Sequence, residues 1–114
     1  MHQLISDDTS YVRLVHSAAD ANMNMVRIWG GGELPPGPFY DTADERGLLI
    51  FHDMMFVEEQ GHGAAITDDI EAEIRGIVRR LSSHPSIILW NGCNEVRLDE
   101  CLSYSFSFRD INLT

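Results

Sequence analysis

A chain of 114 residues, 44 % of them apolar, has room for one modest domain with a real core. Eight Lys and Arg stand against eighteen Asp and Glu, and the resulting net charge of −10 argues against a nucleic-acid partner, since phosphate backbones reward clustered cations. No segment approaches the ~20 apolar residues of a membrane-spanning helix, and the opening MHQLISDD lacks the basic and apolar regions of a signal peptide, so no membrane association is expected.

The first predicted element is a helix over residues 7–21. Asp7, Asp8 and Thr9 supply its cap and the negative charge of its first turn, and Tyr11, Leu14, Val15, Ala18 and Ala19 recur as one apolar stripe. Asn22 ends it. Met25-Val26-Arg27-Ile28-Trp29 follows as a strand and stops at Gly30-Gly31-Gly32. Pro35-Pro36-Gly37-Pro38 bars helix interior. A short second helix is predicted from Phe39 to Arg46, with Gly47 as its left-handed cap. Leu48 to Phe51 is a second apolar strand, ending at His52-Asp53. A longer loop over 54–66 carries Glu58 and Glu59. Thr67, Asp68 and Asp69 then open a third helix with Ile70, Ile74, Ile77, Val78 and Leu81 on one stripe and Arg79-Arg80 at its negative end. His84-Pro85 stops that helix, and Ile87 to Trp90 is the third strand.

Apolar strands separated by helices indicate an α/β fold with a parallel sheet whose faces are covered. The strands begin near residues 25, 48 and 87, about 31 residues apart on average, which is what a (β/α)₈ barrel of ~250 residues spends on each unit. Open α/β sheets have similar units, so spacing alone does not separate the two. Residues 96–114 depart from the pattern: Ser103 to Phe108 alternates with period two, as a short half-exposed strand does, and the rest reads as irregular. Asn112-Leu113-Thr114 fits a glycosylation acceptor, a weak signal in three residues.

In parallel α/β folds chemistry gathers beyond the carboxyl ends of the strands. Here those ends carry Trp29 with its three glycines, His52-Asp53, and Asn91-Gly92-Cys93-Asn94-Glu95. On neighbouring strands they would converge on one cleft, with Asn94 and Glu95 at its floor. Plainer readings exist: a carboxylate after a strand often caps a helix, Asp commonly terminates strands, and Trp29 could be core. The glycines beside Trp29 favour an apolar platform for a ring, because they let a ligand approach the backbone. Arg27, inside a strand, needs a partner, and Asp53 or Glu95 would serve. Glu58-Glu59 reads as a solvated pair, and His84 as a turn residue. His52 and His62 are poor candidates for a metal site, Cys93 and Cys101 form no zinc spacing, and two thiols are expected rather than a disulfide. No metal and no cofactor is expected.

The segments NMNMVRIWGGG, FYDTADERGLLIFHDMMF and VRRLSSHPSIILWNGCNE, in this order and spacing, closely resemble the β-mannosidase branch of the family 2 glycoside hydrolases. The resemblance covers roughly residues 10–95. It implies a partial (β/α)₈ TIM barrel made of about three parallel βα units, numbers two to four, within 1–95, followed by a divergent tail over 96–114. It also implies a retaining exo-β-glycosidase acting on terminal non-reducing β-D-mannose, with a carbohydrate as partner. Glu95 matches the family's general acid/base, Asn94 the residue that hydrogen-bonds the sugar near the reacting carbon, Trp29 an aromatic wall of the sugar subsite, and Asp53 a polar, substrate-side position after the next strand. His52 stands where many relatives have Gln, and Gly-Cys precedes Asn94 where many have Gly-Asn.

The family's nucleophile comes from a later strand, so the chain reads as a fragment expected to be inactive by itself, with open sheet edges that favour self-association. A lysosomal or secreted parent enzyme is compatible with this, and the compartment stays open. Close relatives also act on β-galactosides, β-glucuronides and glucosaminides. A third reading is a dinucleotide-binding module: Gly30-x-Gly32 follows a strand, and Asp53 falls where a ribose-binding carboxylate would. Pro35 at the third glycine position, next to Pro36, counts against it.

Overall fold

The structure, a computed structural model, describes residues 8–57, 67–92 and 94. The expectations for Glu58, Glu59, His62, Cys93, Glu95 and the 96–114 segment lie outside these residues. The element order is α1 (Asp8–Asp20), β1 (Met25–Ile28), α2 (Gly37–Arg46), β2 (Leu49–Asp53), α3 (Asp68–Leu81) and β3 (Ile87–Asn91). This is the alternation read from the sequence.

Both of the first two helices end in the same device. Asn22, at φ 60°, follows α1, and Met23 N–H reaches back to the Ala18 carbonyl at 3.0 Å. Gly47, at φ 65°, follows α2, and Leu48 N–H reaches the Ala43 carbonyl at 3.0 Å. In each case a residue that tolerates the left-handed region reverses the chain and satisfies orphan carbonyls. Pro36 and Pro38 sit at the start of α2, where a missing N–H costs no helical bond. Thr67 caps α3, its Oγ1 accepting from Ile70 N–H at 3.3 Å, and Asp68, Asp69 and Glu71 in the first turn oppose Arg79 and Arg80 in the last.

The strands pair in parallel in the order β1-β2-β3, with Arg27 beside Phe51, Ile28 beside His52, and Asp53 beside Asn91. A register irregularity separates Ile50 from Phe51. Strand β2 runs further than the apolar run suggests: His52 and Asp53 lie inside it, and Met54 N–H still donates to the Asn91 carbonyl at 2.8 Å. Neighbours on both sides keep the backbone extended there, whatever the side-chain polarity.

The helices cover one face of the sheet. Val15, Phe39, Tyr40, Ala43, Leu48, Ile50 and Leu81 form one buried cluster, and Met54, Ile74 and Val78 a second, with Trp90 touching both. Leu14 is the exception in the α1 stripe, standing exposed. The other face of the sheet carries Arg27, Phe51 and Asp53. Continuous apolar runs suggested strands buried on both sides, yet Met25, Ile88 and Leu89 are all more than 40 % exposed. No helix is long and apolar enough to cross a membrane among the described residues.

Candidate active site

Strand alternation sends Arg27, Asp53 and Asn91 to the face of the sheet that no described helix covers, close to its carboxyl edge. Arg27 grips Asp53 with two parallel bonds, Nε to Oδ1 at 3.1 Å and Nη2 to Oδ2 at 2.7 Å. Such a fork–fork pair fixes both partners in orientation as well as distance. The guanidinium lies over the Phe51 ring, 5.1 Å from its centroid, which adds a face-on attraction for the cation. The Asp53 carboxylate also accepts from Asn91 Nδ2 at 3.0 Å and from the Gly30 backbone N–H at 3.3 Å. Its side chain has no exposed surface, while that of Arg27 is 44 % exposed.

Asn94 joins the same cluster. Arg27 Nη2 donates to Asn94 Oδ1 at 2.5 Å. The backbone of Asn94 is held by a parallel bridge to Val57 and by its N–H donating to the Phe56 carbonyl at 2.8 Å. The residue is buried. The exits of β1, β2 and β3 are thus tied together by one guanidinium and one carboxylate.

Gly30 needs to be glycine because of this close approach: a Cβ there would stand 2.0 Å from the Met54 carbonyl oxygen. Next to it, Trp29 is 54 % exposed and turns its ring back over Gly31. Trp29 and Asp53 line a cavity of about 430 Å³ together with Ile28, Glu33, Met54, Ile77 and Arg80. Arg27 and Asn94 are not among its walls. The sequence placed all the strand exits around one hollow. The structure brings Asp53, Asn91 and Asn94 together through Arg27, and sets Trp29 with Asp53 along a hollow that is also lined by α3.

Behind the cluster, His52 is buried against α2. Its Nδ1–H donates to the Asp53 carbonyl at 2.8 Å, which leaves Nε2 to accept from the Tyr40 hydroxyl at 3.0 Å. Burial pushes the imidazole pKa below its usual 6.5, against the opposing pull of the Asp53 carbonyl and charge. Burial likewise pushes the Tyr40 phenol upward, so it stays protonated and remains a donor. Both ring nitrogens of His52 are therefore occupied. Among the described residues no group of three or more His, Cys, Asp or Glu is placed to hold a metal ion.

Sequence reasoning flagged Arg27 only as a residue needing a partner, named Asn91 only among the polar residues at a strand end, and did not foresee the Gly30 N–H contact. The signal available for Arg27 was its place inside an apolar strand, where a cation must be paired. A dinucleotide site would need Asp53 to reach a ribose hydroxyl, and its fully covered carboxylate does not present itself to one.

No family model matches the chain. The chain is 45 % identical over 83 residues to a β-mannosidase of Bos taurus, covering 72 % of this chain and 9 % of that protein. It is 41 % identical over 93 residues to β-mannosidase A of Aspergillus terreus, covering 77 % of this chain and 10 % of that one. Its backbone superposes on the crystal structure of a β-D-mannosidase from Dictyoglomus thermophilum with a TM-score of 0.71 at 29 % identity, over 93 % of this chain and 15 % of that one. The chain spans about a tenth of the length of the curated relatives it matches. Its three parallel strands with helices on one face are consistent with a partial (β/α)₈ barrel, and the chain is a β-mannosidase-like fragment of the family 2 glycoside hydrolase type.

Proposed function

We propose that this chain forms part of the catalytic barrel of a retaining exo-β-mannosidase, a hydrolase of terminal non-reducing β-D-mannose residues, with residues 1–95 as the barrel segment and 96–114 as a tail outside the family pattern. Glu95 is its general acid/base, Asn94 hydrogen-bonds the sugar, Trp29 supplies an apolar wall for the ring, and Asp53 belongs to the same site. The observation that carries this reading is the Arg27 guanidinium bridging Asp53 and Asn94 at the strand exits. It holds Asn94, the residue that precedes Glu95 in the sequence.

In this role Glu95 protonates the departing glycosidic oxygen and then takes a proton from the attacking water. Retaining hydrolysis also needs a carboxylate nucleophile ~5 Å from the acid/base. Asp53 cannot be that group, because both its oxygens are engaged and its side chain is fully covered. Asp53, the one carboxylate of the described cluster, therefore holds Arg27 and Asn91 in place and is not a reacting group. The exposed apolar side chains of Met25, Ile88 and Leu89 also favour self-association.

The test is Glu95→Gln in the enzyme that carries this segment, assayed on aryl β-mannosides of graded leaving-group acidity. The rate should fall about 10²–10⁴-fold for poor leaving groups and least for those that depart unprotonated. Unchanged turnover of every mannoside would remove Glu95 from the mechanism.

A further inference from the structure

The polarity of the Asn94 carboxamide is decided by its neighbour. A guanidinium only donates, so the atom of Asn94 facing Arg27 Nη2 at 2.5 Å has to be the oxygen. The NH₂ half is then turned away from Arg27. The same Nη2 nitrogen donates to Asp53 Oδ2, and Nε to Oδ1, so the direction of the guanidinium is set by the carboxylate. The carboxylate is in turn set by Asn91 Nδ2 and the Gly30 N–H. A lysine at position 27 would provide a charge and no such fork.

From this chain of contacts we infer that Asp53 is a positioning residue: it aims Arg27, and Arg27 holds Asn94 so that the carboxamide offers donors, not an acceptor, to a hydroxyl oxygen of the sugar. The inference rests on the sugar-site reading of Asn94 for its functional half and deepens the part given to Asp53. Asp53 acts without touching the sugar, as its complete burial requires. Arg27 belongs to the same device. The carboxylate accepts from both Nε and Nη2, and the Asn94 oxygen accepts from the same Nη2. Loss of Asp53 therefore removes the two bonds that aim the guanidinium, and weakens the contact that distinguishes the Asn94 oxygen from its nitrogen.

The experiment uses the ¹⁵N-labelled 114-residue chain and reads two side-chain signals, the Arg27 Nε–H and the Asn94 carboxamide NH₂, the latter identified by its loss in Asn94→Ala. Asp53→Asn should shift both signals while the backbone amides of α3 stay in place. Asn91→Ala, which removes a single bond to Asp53, should shift both by less, and Arg27→Lys should shift the Asn94 signal. These two variants decide the matter if Asp53→Asn does not fold. Titration with methyl β-D-mannopyranoside should move the wild-type Asn94 signal, with affinity at least about tenfold weaker in Asp53→Asn. Asn94 signals that stay put in Asp53→Asn and Asn91→Ala while Arg27 Nε–H moves would overturn the positioning role. Mannoside that leaves wild-type Asn94 unmoved would overturn the sugar-site reading instead, and the variants without sugar would still decide the coupling.

Discussion

Arg27 is the residue on which most of the site geometry turns. Its partner Asp53 is wholly covered, and a buried carboxylate stripped of its cation carries the full desolvation cost. Breaking such a pair costs ~3–5 kcal/mol when both members are buried. Here the arginine is nearly half exposed, and Gly30 N–H and Asn91 remain to Asp53. Arg27→Ala should therefore cost about 2–3 kcal/mol in chemical denaturation, with the slope unchanged. A loss under about 0.5 kcal/mol would mean that the remaining two donors suffice. His52 gives a second prediction, in pH. Its folded pKa is depressed below 6.5, so the unfolded chain binds the proton more readily. Stability is fully present above that value and is lost as pH falls below it, by up to about 1.4 kcal/mol per unit. Unfolding midpoints from pH 8 to 5 should fall in the wild type and run flatter in His52→Gln, since an amide can bond Tyr40 and titrates nowhere in this range. Parallel curves would show that another group dominates. Much of this was legible at the residue scale: an arginine inside an apolar strand announces a buried partner, and Asp53 was one of the two named. Asn91 and the Gly30 N–H were not legible. Their meeting with Asp53 depends on cross-strand register, which shifts between Ile50 and Phe51.

At the scale of elements, helix ends were the most readable features, because each rests on local chemistry. Gly47 takes the left-handed conformation, and Thr67 the cap, as the sequence suggested. Strand ends were less readable. Polarity placed the end of β2 before His52-Asp53, whereas pairing on both sides carries the strand through them. The helix α3 tests the cap directly. Thr67→Ala removes the acceptor for Ile70 N–H and should cost about 1 kcal/mol, while Val78→Ala in the buried stripe should cost about 2 kcal/mol or more. A cap effect as large as the core effect would mean that α3 docks on the sheet only loosely. A second clamp joins α2 to the turn before β3. Asp44 accepts from His84 Nδ1 at 2.7 Å and from Ser86 N–H at 2.9 Å. Burial raises the Asp44 pKa, but the hydrogen bonds from Ser86 and His84 outweigh it and hold the carboxyl below its usual value. The sequence had read His84 as a turn residue alone. The hydrogen bond was hidden because Asp44 lies 40 residues earlier.

For the whole molecule, the informative fact is which face the helices leave bare. Periodic spacing fitted a barrel and an open sheet equally well. In a doubly wound sheet the crossovers divide between both faces, whereas here both core clusters lie on one face and share Trp90. That one-sidedness is what a barrel requires, since the barrel's own strands cover the inner face. Met25, Ile88 and Leu89 are exposed in this chain. Each apolar side chain that finds cover contributes ~1.5–3 kcal/mol, which is the gain that the proposed pairing of copies would draw on. Replacing Ile88 and Leu89 together with threonine keeps residues that suit a strand while withdrawing most of the apolar gain. The double variant should associate at least about tenfold more weakly in sedimentation velocity over a dilution series, with α3 and the Arg27–Asp53 pair undisturbed. If wild type and variant both sediment as monomers at the highest attainable concentration, the open face is too small or too well hydrated to drive pairing. The bare surface would then matter only for the strands that complete the barrel.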